Sequence, residues 1–126
     1  MSEYALWVGG APVPKERPRV VRGHAYTPGR TRAWEETIAV AWRQAYPGFE
    51  PLEGPLGVHV LLVSPKLLTG DLDNYAKSVL DGLNGLAWVD DQQIVHLELE
   101  KRRSWGSYHR GALVRVWETG VKEAEA

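Results

Sequence analysis

The sequence predicts a single α+β domain in which two helices pack on a mixed β-sheet. Apolar residues recur at spacings of three and four in two segments and alternate with polar residues in several others. No series of strand–helix–strand repeats runs along the chain, which excludes a large parallel α/β domain. Because 126 residues suit one compact domain, we expect it to span residues 1–120, with residues 121–126 as a frayed tail.

The first half of the chain predicts a strand, a hairpin and a helix. Residues 4–8 predict a short apolar strand, which the glycines and prolines after it should end. Residues 19–27 predict a hairpin that turns near Gly23. Residues 31–45 predict an amphipathic helix with Thr31 as its N-cap, because apolar residues recur along one face.

The second half predicts a strand, a helix and two further strands. Residues 56–64 carry apolar side chains on both faces, which is typical of a central strand. Residues 73–83 predict the second helix, which ends at an Asn-Gly pair. Residues 94–101 and 112–118 alternate between apolar and polar residues and predict two more strands.

The net charge of −1 conceals three blocks of like charge. Residues 15–32 hold six basic residues and one acid, and residues 101–115 hold five bases and no acid. Between them, residues 66–91 hold five acids and two lysines. This order suits an enzyme that cuts phosphodiesters, since bases hold the polyanion and acids hold a cation. The alternative is a solvated surface whose charge blocks arose by chance.

The composition excludes several classes of site and location. With no cysteine, the chain has neither a disulfide framework nor a thiolate metal site. No apolar run reaches the ~18 residues that a membrane-spanning helix needs. The N-terminus lacks the basic and long apolar regions of a signal peptide. We therefore expect a cytoplasmic protein with no membrane partner and no small-molecule cofactor.

Three aspartates are the candidate catalytic residues. Asp71 and Asp73 stand where a loop enters the second helix, and Asp91 precedes a strand. If that strand lies beside the one that ends at Ser64, Asp91 returns to the start of the helix. Converging carboxylates repel unless a divalent cation binds them, and Mg²⁺, with Mn²⁺ as a substitute, prefers such hard oxygen ligands. Lys77, one helical turn after Asp73, would contact the scissile phosphate, orient the water or stabilise the leaving oxygen.

Each of these residues also has a structural interpretation. Asp71 suits a helix N-cap, and Asp73 suits a partner of the helix dipole or of Lys77. Asp90 and Asp91 suit a turn. The residues alone leave both interpretations open.

Two stretches resemble the RusA family of Holliday junction resolvases. GDLDNYAKSVLDGLNGLAWVDDQQIVHLELEKR carries D-x-D-N, a lysine three residues after the Asn, and D-D-x-Q-[IV]. PVPKERPRVVRGHAYTPGRTRAWEE resembles the opening of the family. Together they cover most of the chain. Gly70 departs from the family, which often has a basic residue or proline before D-x-D, and this puts one phosphate contact in doubt.

The resemblance implies an activity and a site. In this family the aspartates that match Asp71, Asp73 and Asp91 are the metal-binding catalytic carboxylates, and the lysine that matches Lys77 is also important. The family acts as a homodimer that nicks two strands of a four-way DNA junction symmetrically. Phage and prophage genomes commonly carry such genes. The resemblance thus implies a Mg²⁺-dependent endodeoxyribonuclease of recombination and repair, with a RusA-like fold.

The basic residues and the competing functions complete the prediction. Phosphate contacts are expected from Lys15, Arg17, Arg19 and Arg22, joined by Arg30, Lys101, Arg102 and Arg103. Trp34 and Trp42 are expected in the core; core, dimer interface and base stacking are open for Trp7, Trp88, Trp105 and Trp117. The competing functions are a non-catalytic protein that binds branched DNA and another metal-dependent phosphohydrolase. The second is considered because a D-x-D motif also begins the active site of haloacid-dehalogenase phosphatases.

Overall fold

The computed structural model describes residues 3–16, 19–26 and 29–120. The elements of these residues are β1 (Glu3–Gly9), β2 (Arg19–Val21), β3 (His24–Tyr26), α1 (Gly29–Ala45), β4 (Leu56–Ser64), α2 (Leu72–Leu83), a 3-10 turn (Asp91–Gln93), β5 (Ile94–Arg103) and β6 (Gly111–Glu118). The predicted order of strands and helices is confirmed, and the 3-10 turn is an addition to it. The expected frayed tail, residues 121–126, lies outside the described residues.

The four long strands form one mixed sheet in the order β1-β6-β4-β5. Strands β4 and β5 are parallel, whereas β6 is antiparallel to both β1 and β4. The predicted central position of β4 is confirmed, because every residue of this strand except Ser64 is buried. Strands β2 and β3 form a separate hairpin, in which Arg22 and Gly23 have the positive φ of a tight turn.

Both helices pack on one face of the large sheet. The core joins Val58 and Val60 of β4 to Trp42 of α1 and Val79 of α2, all at most 1% exposed. Each such apolar side chain contributes about 1.5–3 kcal/mol through its burial. The result is one small α+β domain, as predicted. Within the described ranges, neither helix is long and apolar enough to cross a membrane.

The segment before the hairpin is fastened to both helices. Thr31 lies inside α1, which begins at Gly29, so its predicted role as N-cap is wrong. Its buried hydroxyl instead donates to the carbonyl of Pro14 at 3.1 Å and accepts from the amide of Glu16 at 3.4 Å. The amide of Lys15 donates to the carbonyl of Asn74 in α2 at 2.8 Å. These bonds fix the basic segment against the start of α2.

Candidate active site

The first turn of α2 presents two exposed carboxylates. Asp71 is the N-cap by its backbone, with φ −65° and ψ 130°, but its side chain accepts no capping hydrogen bond. Its carbonyl oxygen accepts instead from the amides of Asn74 at 3.1 Å and Tyr75 at 3.3 Å. Asp73 follows in the first turn. Among the described residues, neither carboxylate takes part in an ion pair or a side-chain hydrogen bond.

The loop before these aspartates is held from two sides. Lys101 of β5 donates from Nζ to the carbonyl of Leu68 at 2.8 Å and to that of Gly70 at 3.2 Å. A Cβ on Gly70 would lie 2.7 Å from Cε2 of Tyr75, which is 8% exposed. The buried ring therefore explains why glycine stands before D-x-D in this chain. Lys101 positions this loop, which is a different use from the expected DNA contact.

Asp91 is held by a buried tryptophan at the start of the 3-10 turn. Nε1 of Trp88, a residue with no exposed surface, donates to Oδ1 of Asp91 at 2.7 Å. Asp90 closes a capping box on the same turn: it accepts from the amide of Gln92 at 3.4 Å, and its own amide donates to Oε1 of Gln93 at 2.8 Å. Sequence reasoning missed the roles of Trp88, Asp90 and Gln93, although D-x-x-Q is the spacing of a capping box.

Within one chain, Asp91 lies at the opposite end of β5 from the other two aspartates. β5 does lie beside β4, but the two are parallel, so Asp91 precedes the pair of strand starts, Leu56 and Ile94. Lys101, which holds the loop before Asp71, is seven residues beyond Ile94, and ~3.3 Å per residue makes this roughly 23 Å. Accordingly, no group of three or more His, Cys, Asp or Glu side chains in the described ranges is placed to hold a metal ion.

The donor chemistry of the α2 carboxylates still fits a divalent cation. Mg²⁺ is commonly bound by one or two carboxylates together with waters and substrate phosphate oxygens. Asp71 and Asp73 supply two hard oxygen donors that no described residue occupies. The structure therefore brings together two of the three predicted ligands and leaves the third apart.

Lys77 lies on the exposed side of α2, one turn beyond Asp73. Its Nζ is 3.4 Å from Oδ1 of Asp81, and its side chain is 60% exposed. The described contacts therefore pair Lys77 with Asp81 and not with Asp73. Because an exposed pair of this kind contributes little, its ammonium is free to turn to a bound phosphate.

The predicted DNA-contacting residues have different surroundings. Lys15 lies 2.8 Å from Glu35 and 2.9 Å from Asp81, so two carboxylates already compensate its charge. Arg22 is exposed at the tip of the β2–β3 hairpin. Arg17 lies outside the described residues, as does the side chain of Arg19.

Arg102 and Arg103 form a basic cluster at the end of β5. Arg103 is exposed, and Arg102 donates to Glu100 at 2.8 Å. This bond, with a second from His59, holds the pKa of the Glu100 carboxyl below its usual value. The guanidinium of Arg102 also lies 6.0 Å from the ring centroid of Trp105, which is 42% exposed. Trp105 is thus outside the core, whereas the predictions for Trp34 and Trp42 as core residues are confirmed.

The chain matches one protein-family model. The model described as Endodeoxyribonuclease RusA matches residues 9–110, a range that contains both quoted stretches and all three aspartates. No curated protein matches the chain. The match covers most of the sequence, and the chain therefore belongs to the RusA endodeoxyribonuclease family.

Proposed function

We propose that this member of the RusA family is a Mg²⁺-dependent endodeoxyribonuclease that resolves four-way DNA junctions by paired, symmetric nicks. The observation that supports it most directly is the exposed pair Asp71 and Asp73, which has no described partner at the start of α2. Both carboxylates stand at the first turn of α2 without a compensating charge among the described residues, and a bound cation would neutralise them. Asp91 completes the proposed catalytic set, as the family pattern implies.

The roles of the side chains follow from their positions. A bound Mg²⁺ would supply an activated water and neutralise charge on the phosphate. Asp71 and Asp73 would bind the ion and fix it at the start of α2. Lys77, one turn along and largely exposed, would approach the scissile phosphate or the leaving oxygen. Lys101 and Gly70 would keep the loop before Asp71 in place while DNA binds.

The DNA contacts are proposed to come from basic residues of the N-terminal segment and hairpin and from the end of β5. Arg22 would contact phosphates from the hairpin, and Arg102 and Arg103 would do so from the end of β5. Arg17 and Arg19 are proposed as further phosphate contacts. Lys15 contributes mainly by holding this segment against the two helices. Phosphate contacts position DNA without reading its sequence, so binding should weaken steeply as salt rises.

The assembly and the setting of the reaction are proposed on the same basis. A four-way junction has two-fold symmetry, which an isologous homodimer matches with two equivalent active sites. Residues 1–120 would act as one endonuclease domain. Because the proposed substrate is recombining DNA of a bacterium or its phage, the protein would act in the cytoplasm.

Cleavage of a synthetic four-way junction tests this proposal. An end-labelled junction, prepared with several core sequences, is incubated with wild type, with Asp73→Asn, and with EDTA in place of Mg²⁺. We expect paired nicks from wild type with Mg²⁺, cleavage at least a hundredfold slower from Asp73→Asn, and no cleavage in EDTA. The junction should still be bound in all three samples. A wild type that cuts no core with Mg²⁺ or Mn²⁺ would contradict the proposal.

One observation favours a second candidate, a non-catalytic protein that binds branched DNA. In the described ranges of one chain, no three acidic or histidine side chains gather as a metal site. This candidate predicts junction binding that is unchanged in EDTA, with no cleavage under any condition. The same assay therefore separates the two functions.

A further inference from the structure

The loop between β5 and β6 presents an exposed tryptophan. Of the six tryptophans, all of which lie in the described residues, only Trp105 is exposed, at 42%. Tryptophan is the largest aromatic side chain, and folded proteins bury most of its surface. A ring that stands in water at the end of a basic strand therefore points to a ligand that covers it.

The loop holds this ring in a fixed place. The amide of Trp105 donates to the carbonyl of Tyr108 at 3.3 Å, and the amide of Tyr108 donates to the carbonyl of Trp105 at 3.0 Å. Gly106, the first residue of the tight turn between them, has the positive φ of 54° that such turns favour. The rings of Trp105 and Tyr108 lie 5.3 Å apart, and Tyr108 packs edge-on against Trp7 of β1 at 4.9 Å. A ring that is already ordered loses little entropy when a ligand stacks on it.

The surroundings of the ring are basic. Residues 101–115 include five basic residues and no acid. The guanidinium of Arg102 lies 6.0 Å from the ring centroid of Trp105, and Arg103 is exposed. The carboxylate of Glu100, just before this block, is paired with Arg102 at 2.8 Å. A basic surface of this kind favours a ligand that carries phosphates.

The loop stands at the same end of the sheet as the proposed cation ligands. The amide of Ser104 donates to the carbonyl of Ser64, the last residue of β4, at 3.0 Å. The segment that begins after Ser64 leads to Asp71, and Lys101 of β5 holds it by two hydrogen bonds. Trp105 and Asp71 therefore share one end of the sheet, so DNA that contacts one of them is near the other.

An unpaired nucleotide has the chemistry that this surface would recognise. Its base has a flat π-face that stacks on an indole ring, and its phosphates carry the charge that Arg102 and Arg103 attract. A base inside a duplex is stacked on both faces and is closed to the ring. The interrupted stack of branched DNA leaves base faces open.

A second arginine–tryptophan pair in this chain has a structural role. The guanidinium of Arg115 lies 5.9 Å from the ring centroid of Trp117, at the opposite end of the sheet. A Cβ on Gly57 would overlap the ring of Trp117, so this ring lies against the backbone of β4. Arg115 is paired with Glu3 at 2.8 Å. Trp117 is thus covered by its own chain, in contrast to Trp105, and it provides a matched control.

We propose that Trp105 is a stacking platform for one unpaired base of bound DNA, with Arg102 and Arg103 as contacts for the phosphates beside that base. The proposal rests on the proposed function for the identity of the ligand, but stacking needs neither the metal nor cleavage. The platform would hold a DNA strand beside the start of α2, where the cut is proposed to occur.

Two oligonucleotides of equal charge test the platform. An eight-nucleotide oligothymidylate and an abasic oligonucleotide of the same length carry the same phosphates and differ only in their bases. Each is labelled with fluorescein, and its affinity is measured by fluorescence anisotropy at low salt in EDTA. We expect wild type to bind the oligothymidylate at least about fivefold more tightly than the abasic oligonucleotide, the usual effect of one stacked base.

Substitutions of the ring assign this preference to a residue. We expect Trp105→Ala to lose the preference, while its affinity for the abasic oligonucleotide stays within about twofold of wild type because the phosphate contacts remain. Trp105→Tyr, which keeps an aromatic face, should retain most of the preference. Trp117→Ala should retain all of it. Thermal unfolding and size-exclusion chromatography of each variant report any change in folding or assembly.

The outcomes separate this inference from its alternatives. A preference for bases that survives in Trp105→Ala, or that wild type lacks, would overturn the proposal. An equal loss in Trp105→Ala and Trp117→Ala would also overturn it, since the ring would then act through the fold. If Trp105→Ala keeps the preference but loses the oligomeric state of wild type, the ring belongs to a protein interface instead. A wild type that cuts no junction but shows a preference that depends on Trp105 would support the inference while contradicting the nuclease function.

Discussion

At the scale of single residues, the hydrogen bond between Trp88 and Asp91 connects the hydrophobic core to a proposed catalytic carboxylate. Trp88 is fully buried, and its side-chain donor, Nε1, donates a hydrogen bond to Oδ1 of Asp91 at 2.7 Å. A hydrogen bond to a charged group contributes about 1.5–3 kcal/mol, and it fixes the direction of the carboxylate. Trp88 is therefore a positioning residue for a proposed metal ligand.

We expect Trp88→Phe to reduce junction cleavage about 10–100-fold, the usual effect of losing a group that orients a metal ligand. Trp42→Phe is the matched control, since Trp42 is 1% exposed and its Nε1 has no hydrogen-bond partner among the described residues. Both variants remove similar volume from the core. Cleavage rates and thermal unfolding are measured for both variants. Equal cleavage rates of the two variants at saturating Mg²⁺ and junction would refute a positioning role.

At the scale of elements, the two helices pack closely together at Gly82. A Cβ there would lie 3.0 Å from the carbonyl oxygen of Glu35 and 3.1 Å from Cβ of Ile38. Neither atom can move without its helix, so an added methyl group must push α1 and α2 apart. Gly82, which lies in the stretch that resembles the RusA family, thus has a packing role between the helices.

We expect Gly82→Ala to lower the free energy of unfolding by roughly 1 kcal/mol. Overpacking costs about 1–3 kcal/mol, and the better helix propensity of alanine returns up to ~1 kcal/mol. Gly54→Ala is the control, since nothing lies within 4 Å of its added Cβ. Urea denaturation should show Gly54→Ala unchanged or slightly stabilised. A stabilised Gly82→Ala would mean that the helices separate without cost.

The sequence predicted the elements well because each has a local period or a local stop signal. The pattern of β4, apolar on both faces, identified the central strand before its neighbours were known. The direction of β5 was left open, because alternation is the same in parallel and antiparallel strands. A signal for it existed: one helix between two adjacent strands favours a parallel crossover. That direction decides where Asp91 lies.

At the scale of the whole molecule, ion pairs between residues far apart in the sequence could not be predicted from local patterns. Lys15 was expected to bind DNA because it begins a basic block, yet it contacts Glu35 of α1 and Asp81 of α2. The spacing of Lys15, Glu35 and Asp81 in the sequence does not predict that they form a triad of charges, because they meet only when both helices pack on the sheet. Lys15 thereby ties the N-terminal segment to the helical layer that presents Asp71 and Asp73.

The pKa of Lys15 links this triad to pH. Burial lowers the pKa, but the hydrogen bonds and charges of Glu35 and Asp81 outweigh it and raise the pKa above its ordinary 10.5. The folded protein therefore holds this proton more tightly than the unfolded chain does. The stabilisation is fully present below pH 10.5 and is lost as pH rises through the folded-state pKa.

We expect Lys15→Met to lower the free energy of unfolding at neutral pH by roughly 2 kcal/mol, because two carboxylates then face each other without their ammonium. The deficit should shrink above ~pH 10.5, where wild type loses the same charge. Lys66→Met, which removes an exposed lysine with no ion pair among the described residues, should change stability by less than ~0.5 kcal/mol. Urea denaturation of the three proteins across this pH range gives the comparison. A deficit that stays constant with pH would assign the loss to packing of the lysine stem, since only the charge titrates.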